Sequence, residues 1–288
     1  MKILQITDTH VGRPGHVGYG LDPRARLEAC VADINAHHAD AALCLVTGDL
    51  VNDGSDAEYE NIAPVLRALR VPVRVLAGNH DSREGLRRFF PETPLDENGF
   101  LQSAIELPHG RIILLDTMVP GAASGALCDL RLDWLSRALA ARDDTVCLFM
   151  HHPPLALGIE YMDRIGLAGN ERFWAVLKPF RQRIALIAFG HVHRPVSGLW
   201  NGIAFAGTPS TVQQVALELG PQPELHLNFN HEPPCYAILD ISGAGVIVHQ
   251  HTGPQCVNPC PWHPARTDSP TRSPPRSSAQ ADPPASLT

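Results

Sequence analysis

Short apolar segments alternate with longer amphipathic segments along the first two thirds of the chain, and this alternation constrains the fold more than any other feature. The apolar segments are rich in Val, Ile and Leu, and each leads into a polar residue or Gly, as β-strands do. The six predicted strands span residues 2–7, 42–47, 73–77, 112–116, 145–150 and 184–189. The predicted helices between them span residues 23–38, 56–70, 83–90, 129–142 and 170–180. Such alternation predicts an α/β fold in which helices cover both faces of a parallel sheet.

The pattern changes after about residue 201. Four short segments there resemble strands joined by turns, without a strong helix, and they predict a second sheet or the far half of a two-sheet sandwich. These segments span residues 203–206, 213–217, 235–239 and 246–251. After Thr252 the sequence is dominated by Pro and Ser, a composition that buries too little apolar surface to offset chain entropy. We therefore expect a folded domain over residues 1–252 and a disordered tail over residues 253–288.

Composition and charge exclude several classes of protein. Apolar residues make up 44% and charged residues 18% of the chain, which excludes wholesale disorder. Seven cysteines in 288 residues are too few, and odd in number, for a disulfide scaffold, so we expect reduced thiols. The net charge of −7 makes a long nucleic acid an unfavourable partner. No segment resembles a membrane span or a signal peptide, which predicts a cytoplasmic protein without a membrane partner.

Residues of the types that bind metals follow five of the predicted strands. They are Asp8 and His10 after the first strand, Asp49 after the second, Asn79 and His80 after the third, His151 and His152 after residues 145–150, and His191 and His193 after residues 184–189. Because the carboxyl ends of parallel strands share one edge of a sheet, and ligands bind there in open α/β sheets, we expect these side chains to converge.

This set offers carboxylate oxygens, an amide oxygen and imidazole nitrogens but no thiolate. Mixed N/O ligation suits Mn, Fe, Zn, Co or Ni. The ligands are too many for one four-coordinate ion, whereas two ions ~3.5–4 Å apart with a bridging carboxylate use them all, and Asp49 is the best-placed bridge. Gly48, Gly78 and Gly190 each directly precede one of these residues in the sequence, and they are expected to let the backbone approach a crowded site closely.

Formal charge narrows the substrate class. Two divalent cations, two carboxylates and a bridging hydroxide leave about one positive charge, which matches a phosphodiester monoanion better than a monoester dianion. Arg13, Arg83 or Arg194 would alter this balance if one of them were close. The cations are expected to lower the pKa of the bridging water so that hydroxide attacks phosphorus, and His80 is placed to protonate the leaving oxygen.

Five motifs occur in the order D-x-H, G-D, G-N-H-D, H-H-P-P and G-H-x-H. Together they resemble the calcineurin-like metallophosphoesterase superfamily, and within it the class III cyclic nucleotide phosphodiesterases, from residue 1 to about residue 251. The resemblance implies a two-sheet β-sandwich flanked by helices, in four α/β/β/α layers, and a pair of Fe, Mn, Zn or Co ions. It implies one ion bound by Asp8, His10, Asp49 and His193, and a second bound by Asp49, Asn79, His151 and His191.

Three local features bear on the substrate. Tyr19-Gly20 favours the glycerophosphodiesterase branch. Gln213 stands where some relatives carry a His that faces the substrate, and Asn52-Asp53 replace the Asp-Arg pair of the protein phosphatases, which argues against phosphoproteins. We therefore predict a hydrolase of small phosphodiesters, either glycerophosphodiesters or 3′,5′-cyclic nucleotides. The predicted substrate contacts are Asn79, His80, His193 and Tyr19, with an ordinary loop aromatic as the alternative for the last.

Alternatives stay open on several points. A phosphomonoesterase, a 2′,3′-cyclic nucleotide phosphodiesterase or a nuclease of the same superfamily would use the same residues, and a non-catalytic scaffold is a remote alternative. His151 is the predicted ligand of the His-His pair, and His152 is expected either to pack in the core or to support the ligands without binding metal. Since relatives often oligomerise, a homo-oligomer is also expected.

Overall fold

The computed structural model describes residues 1–222 and 224–253, whose strands form two mixed β-sheets. The predicted tail lies outside the described residues except for Gly253. The helices are α1 Pro23–His37, α2 Asp56–Arg67, α3 Arg83–Phe89, α4 Asp129–Ala140, α5 Glu160–Arg164 and α6 Asn170–Leu177, which continues into a 3-10 helix over Lys178–Arg183. The strands are β1 Lys2–Ile6, β2 Leu43–Thr47, β3 Val73–Leu76, β4 Ser103–Leu107, β5 Gly110–Leu115, β6 Gly125–Ala126, β7 Val146–Met150, β8 Leu167–Ala168, β9 Ile184–Phe189, β10 Val196–Trp200, β11 Ile203–Gly207, β12 Gln214–Val215, β13 Phe229–Asn230, β14 Cys235–Ser242 and β15 Gly245–Thr252. No helix among these residues is both long and apolar enough to cross a bilayer.

The predicted strands divide between the two sheets. The first sheet has the order β15-β14-β1-β2-β3, with β1 to β3 parallel, β14 antiparallel to β1, and β15 antiparallel to β14. The second has the order β10-β11-β9-β7-β5-β4, with its four central strands parallel and its two edge strands antiparallel. The pairs β12-β13 and β6-β8 form two small ribbons.

The two sheets pack face to face. One buried cluster draws Ile3 and Leu45 from the first sheet and Phe149 and Leu186 from the second. The outer face of the first sheet packs against α1, α2 and α3. The outer face of the second sheet packs against α4, α5 and α6. This confirms the four α/β/β/α layers. The expectation of helices on both faces of one sheet is wrong, because a doubly buried strand has the same apolar pattern whichever layer covers it.

Most predicted elements agree with the structure to within about three residues, and local signals explain where they start. The carboxylate of Asp22 accepts a hydrogen bond from the N–H of Ala25 at 3.0 Å and caps α1, and Ser55 with Glu58 forms a capping box at α2. The predicted strand over residues 213–217 is only the two-residue β12, and the short α5, β4 and β10 were not predicted.

One buried polar side chain joins the two sheets near the carboxyl ends of their strands. Gln5 of β1 is 1% exposed. Its amide nitrogen donates to the hydroxyl of Thr47 at 2.9 Å, and its carbonyl oxygen accepts from the hydroxyl of Thr208 at 2.9 Å. Thr47 ends β2 in the first sheet, whereas Thr208 follows β11 in the second. The Gln5 amide therefore fixes how the two sets of strand ends lie against each other.

Replacement of Gln5 by Ala is expected to lower the free energy of unfolding by ~1–3 kcal/mol, because two buried hydroxyls lose their partner. Urea denaturation of the metal-free protein, followed by circular dichroism, measures this change. The matched control is Gln250→Ala, whose amide also crosses between the sheets, to the carbonyl of Gly207 at 3.1 Å, but from a half-buried position on an edge strand. A loss no larger than that of the control would contradict the role given to Gln5.

Candidate metal centre

The side chains predicted from the strand ends meet at one edge of the sandwich. Their donor atoms form four overlapping groups, and within each group the donor atoms lie no more than 4.8 Å from one another. These groups are Asp8-His10-His193, Asp8-Asp49-His151, His10-Asp49-His80 and His151-His152-His191. The prediction that all five strands share the edge of a single sheet is wrong, because β1 to β3 belong to one sheet and β7 and β9 to the other. Convergence arises because the carboxyl ends of both sets of parallel strands lie at the same end of the sandwich.

The first set of donors surrounds the carboxylate of Asp8. Its Oδ1 lies 3.3 Å from Nε2 of His193, which in turn lies 3.0 Å from Nε2 of His10. The same nitrogen of His10 is 3.8 Å from Oδ2 of Asp49. Ligands bonded at ~2 Å to one ion lie ~3 Å apart, so these spacings fit a shared cation.

The second set of donors meets the first at Asp49. Oδ2 of Asp49 is 3.3 Å from Nε2 of His151, and Oδ1 of Asn79 is 3.3 Å from that nitrogen and 3.1 Å from Nδ1 of His191. The amide oxygen of Asn79 and these two ring nitrogens can all offer lone pairs to one cation between them. The residues present therefore fit two adjoining metal ions with Asp49 between them.

Backbone carbonyls orient two of the imidazoles. Nδ1 of His151 donates to the carbonyl of Thr47, and Nδ1 of His193 donates to the carbonyl of Gln213, both at 2.9 Å. With the proton on Nδ1, the Nε2 lone pair of each ring faces the carboxylates. The backbone carbonyl of Gln213 thus positions His193, and Gln213 also lines the adjoining cleft.

Burial and charge together favour a cation at this point. Burial opposes ionisation of Asp49, but attraction to His151 outweighs it and holds the pKa of Asp49 well below its ordinary value. Burial also disfavours a charged His151, yet Asp49 raises the pKa of His151 to about 9. Burial lowers the pKa of His10 to about 3, which keeps that ring neutral and able to coordinate. The carboxylates stay ionised, and positive charge beside them is strongly stabilised.

Left-handed backbone marks the predicted ligands. Seven non-glycine residues of the described chain have positive φ, and five of them are predicted ligands. These are Asp8 (53°), His10 (42°), Asp49 (51°), His191 (67°) and His193 (46°). Such conformations cost ~1–3 kcal/mol each outside Gly and persist only where the surroundings impose them. The chain turns sharply after each strand, and these turns aim the side chains of both sheets at one another.

The predicted close approach at the motif glycines is confirmed. A Cβ added at Gly78 would lie 2.1 Å from Oδ1 of Asp49, and one added at Gly190 would lie 2.6 Å from Oδ2 of Asp8. Even the smallest side chain at either position would displace a carboxylate. The glycines therefore leave room for the two acids, one in each set of donors.

His80 borders both the centre and the cleft. Its backbone N–H donates to Oδ1 of Asp49 at 2.9 Å, and its Nδ1 donates to the carbonyl of Asn52 at 2.7 Å. The ring packs edge-on against His10, with centroids 4.8 Å apart. These contacts fix the Nδ1 side of the ring and leave Nε2 as the nitrogen free to meet a substrate.

Asp81 holds the loops that carry Asp49 and Asn79. Its carboxylate accepts from the N–H of Leu50 at 3.2 Å and of Gly78 at 2.9 Å. Burial, with repulsion from Asp49, raises the pKa of Asp81 to about 7. Asn52 acts on this site through its backbone carbonyl, which accepts the hydrogen bond from Nδ1 of His80. Since any residue type has such a carbonyl, the sequence does not reveal this role.

The two histidines of the His-His pair differ in their contacts. Nδ1 of His152 accepts from the hydroxyl of Thr117 at 2.8 Å, and its Nε2 donates to the carbonyl of Ala123 at 3.2 Å. Burial lowers the pKa of His152 to about 3. Both of its nitrogens are occupied, whereas Nε2 of His151 faces Asp49.

A cleft of about 220 Å³ opens beside the donors. Besides predicted ligands and His80, its walls are mostly apolar or aromatic, and Tyr19 lines it as predicted. Ala123 and two residues of α5, Tyr161 and Met162, also line the cleft, and the walls that no sequence pattern predicted are Ile165, Val215, Leu227 and Phe229. Val215 and Phe229 lie on the two-residue strands β12 and β13, and Leu227 lies between these strands. Such short segments show no hydrophobic periodicity from which a structural role could be predicted.

No Lys or Arg is among the described residues that line the cleft. Arg83 is paired with Asp116 at 2.7 Å, and Arg194 donates to the carbonyl of Val215 at 2.7 Å. Arg13 is exposed. The charge balance predicted from the metals and carboxylates is therefore not altered by these arginines.

Comparison with known proteins agrees with this geometry. The sequence profile of the calcineurin-like phosphoesterases matches residues 1–195. A protein of Rhodopseudomonas palustris, named a probable cyclic nucleotide phosphodiesterase, is 42% identical over 87% of this chain and 92% of its own. One of Arcobacter nitrofigilis, named a probable glycerophosphodiester phosphodiesterase, is 38% identical over 81% of this chain and 86% of its own.

A solved structure supports the fold independently. A dimetal phosphatase from Danio rerio, 17% identical, has a TM-score of 0.64 over 86% of this chain and 95% of its own. At that identity the likeness concerns the fold alone. With the strand-end motifs, the four layers and the matched profile in agreement, the chain belongs to the calcineurin-like phosphoesterase family.

Proposed function

We propose that this protein is a binuclear metal-dependent hydrolase of small phosphodiesters. The observation that carries the proposal is the pair of adjoining donor sets that meet at Asp49, beside a cleft with no Lys or Arg among its described lining residues. The proposed ligands are Asp8, His10, Asp49 and His193 for one ion, and Asp49, Asn79, His151 and His191 for the other. Fe, Mn, Zn and Co all suit these nitrogen and oxygen donors. We also propose a cytoplasmic location and a homo-oligomeric assembly, both from the sequence.

The reaction divides between the ions and the side chains. When bound, two such cations act as Lewis acids toward phosphoryl oxygens and make water acidic enough for in-line attack. Asn79 orients one non-bridging oxygen of the phosphate through its amide. Nε2 of His80 protonates the leaving oxygen, since the hydrogen bond from Nδ1 to the carbonyl of Asn52 holds the ring in place.

Charge in the cleft favours a diester over a monoester. Without a Lys or Arg among the described lining residues, the phosphate charge is met by the ions alone, and a monoanion is the better match. The apolar walls suit the organic groups that a diester carries on both sides of phosphorus. One relative is named a probable cyclic nucleotide phosphodiesterase and another a probable glycerophosphodiester phosphodiesterase, and the phosphate of either kind of diester carries a single negative charge. A phosphomonoester would carry a second negative charge, and no Lys or Arg among the described lining residues would balance it.

Replacement of Asn79 by Ala is expected to lower kcat/KM for bis(p-nitrophenyl) phosphate by more than ~100-fold, because a direct ligand should matter more than outer partners, whose loss costs ~10- to 100-fold. The measurement is p-nitrophenolate release by protein reconstituted with Mn, with metal content by elemental analysis. Asn98→Ala, in an exposed turn, is the matched control. Wild-type protein that turns over no diester with any divalent metal would refute the proposed function.

Replacement of His80 by Ala is expected to slow kcat by ~10²- to 10⁴-fold for a dialkyl diester such as glycerophosphoethanolamine, because an alkoxide needs a proton to leave. The loss should be much smaller for bis(p-nitrophenyl) phosphate, whose leaving group departs as a stable anion. His109→Ala, on an exposed turn, serves as the control. Equal losses with both substrates would show that His80 acts in binding instead.

Replacement of Gly78 by Ala is expected to weaken Mn binding by at least ~10-fold, the size typical of disturbed ligand geometry. The added Cβ would lie 2.1 Å from Oδ1 of Asp49 and displace it. Isothermal titration calorimetry measures the affinity. Gly243→Ala, where a Cβ meets no atom within 4 Å, is the control. Unchanged affinity in Gly78→Ala would contradict the ligand role of Asp49.

A further inference from the structure

Tyr19 occupies a position that its residue type does not favour. It lies at the tip of a tight hairpin in which Gly18 and Leu21 exchange two backbone hydrogen bonds of 2.9 Å. The two residues between them, Tyr19 and Gly20, have φ of 52° and 78°. Turns with two successive left-handed residues favour Asn and Gly. A tyrosine held there is strained, and its side chain is 59% exposed, so burial does not explain it.

The ring of Tyr19 has one close aromatic partner, Phe229. Their centroids are 4.5 Å apart, at an interplanar angle of 46°. Phe229 begins β13, which pairs with β12, and the ring centroid of Phe229 is 6.3 Å from that of His193. The carbonyl of Gln213, directly before β12, accepts the hydrogen bond from His193. The ribbon that carries Phe229 is thus attached to a proposed metal ligand.

The Tyr19–Phe229 pair forms one wall of the cleft, and its surroundings are apolar. Val215 and Leu227 line the cleft on the same ribbon. Among the described residues no Lys or Arg lines the cleft, so no such side chain there would bind a second negative charge on a substrate. A glycerol or other hydroxylated substituent would meet few hydrogen-bond partners on this wall. A planar aromatic ring in the cleft would instead meet the rings of Tyr19 and Phe229, which both line it.

We propose that Tyr19 and Phe229 form a stacking platform that makes the enzyme prefer phosphodiesters whose non-leaving substituent is a planar ring, such as a nucleobase-bearing or aryl group. The inference rests on the proposed function and names the substrate class for the same site. Phe229 lies beside His193, with ring centroids 6.3 Å apart, whereas the leaving oxygen belongs beside His80, so the platform serves the group that stays on phosphorus. The strain at Tyr19 is then the consequence of holding an aromatic ring at the mouth of the cleft.

Two diesters with the same leaving group test the platform: bis(p-nitrophenyl) phosphate and ethyl p-nitrophenyl phosphate. Both release p-nitrophenolate, and only the remaining substituent differs. With Mn-loaded protein, Tyr19→Asn and Phe229→Leu are expected to lower kcat/KM at least about fivefold for the diaryl ester, the lower range of base–aromatic stacking. For the ethyl ester the change in kcat/KM should be less than about twofold, since the ethyl group that stays on phosphorus has no ring to stack. Leu217→Ala, exposed on the same ribbon and outside the cleft lining, is the control.

Stability separates a functional platform from a structural one. Asn accepts left-handed backbone, so Tyr19→Asn should leave the midpoint of urea unfolding unchanged or raised while the preference for the diaryl ester is lost. Equal losses with both esters, or no loss with either, would overturn the platform. If the wild-type protein cleaves neither ester with any divalent metal, the proposed function fails and the platform with it. If it cleaves both and the variants keep the preference, only the platform fails.

Discussion

Two carboxylates, buried with imidazoles from a second sheet, are the interaction on which the rest of the molecule depends. Asp8 and Asp49 come from the first sheet, whereas His151 and His193 come from the second, and oxygen and nitrogen lie 3.3 Å apart in both pairs. A buried carboxylate without a cationic partner is costly. The sandwich therefore needs positive charge at this edge, and the histidines, with their carbonyl contacts, are arranged to share it with metal ions. Small shifts between the sheets would open the spacing on which coordination depends.

The backbone absorbs the cost of this convergence. Strands of one sheet diverge through twist, and side chains of two sheets meet only if the chain turns abruptly after each strand. Five left-handed residues make those turns, and glycines leave the space into which the carboxylates fit. Regular ladders directly before the turns, such as Thr47 against Leu76 and Phe149 against Ala188, hold the strained segments on a rigid base. Strain at this edge thus follows from building one site out of two sheets.

Which residues would converge was easier to predict from the sequence than which sheet each strand would join, and the reason is physical. Asp, Asn and His directly after apolar strands are conspicuous, because it is costly to bury polar or ionisable side chains unless they have partners. The single-sheet interpretation failed because continuous apolar strands such as β2 and β7 show only that both faces are buried, not what buries them. Backbone contributions were invisible as well: the carbonyls of Thr47, Gln213 and Asn52 orient three imidazoles, and any residue type could supply them.

The cleft walls were hardest to predict because they lie on elements too short for periodicity. Phe229 and Val215 belong to a ribbon of two residues per strand, and α5 has five residues. Such segments gain their conformation from tertiary contacts and can vary without disturbing the layers. Under the proposed function, metal binding and selectivity are thereby separated: the strand ends would hold the ions that act on phosphorus, and short peripheral segments would decide which substituents fit. A family that keeps the first and varies the second can act on different diesters with one reaction, which explains why strand-end motifs identify the chemistry more readily than the substrate.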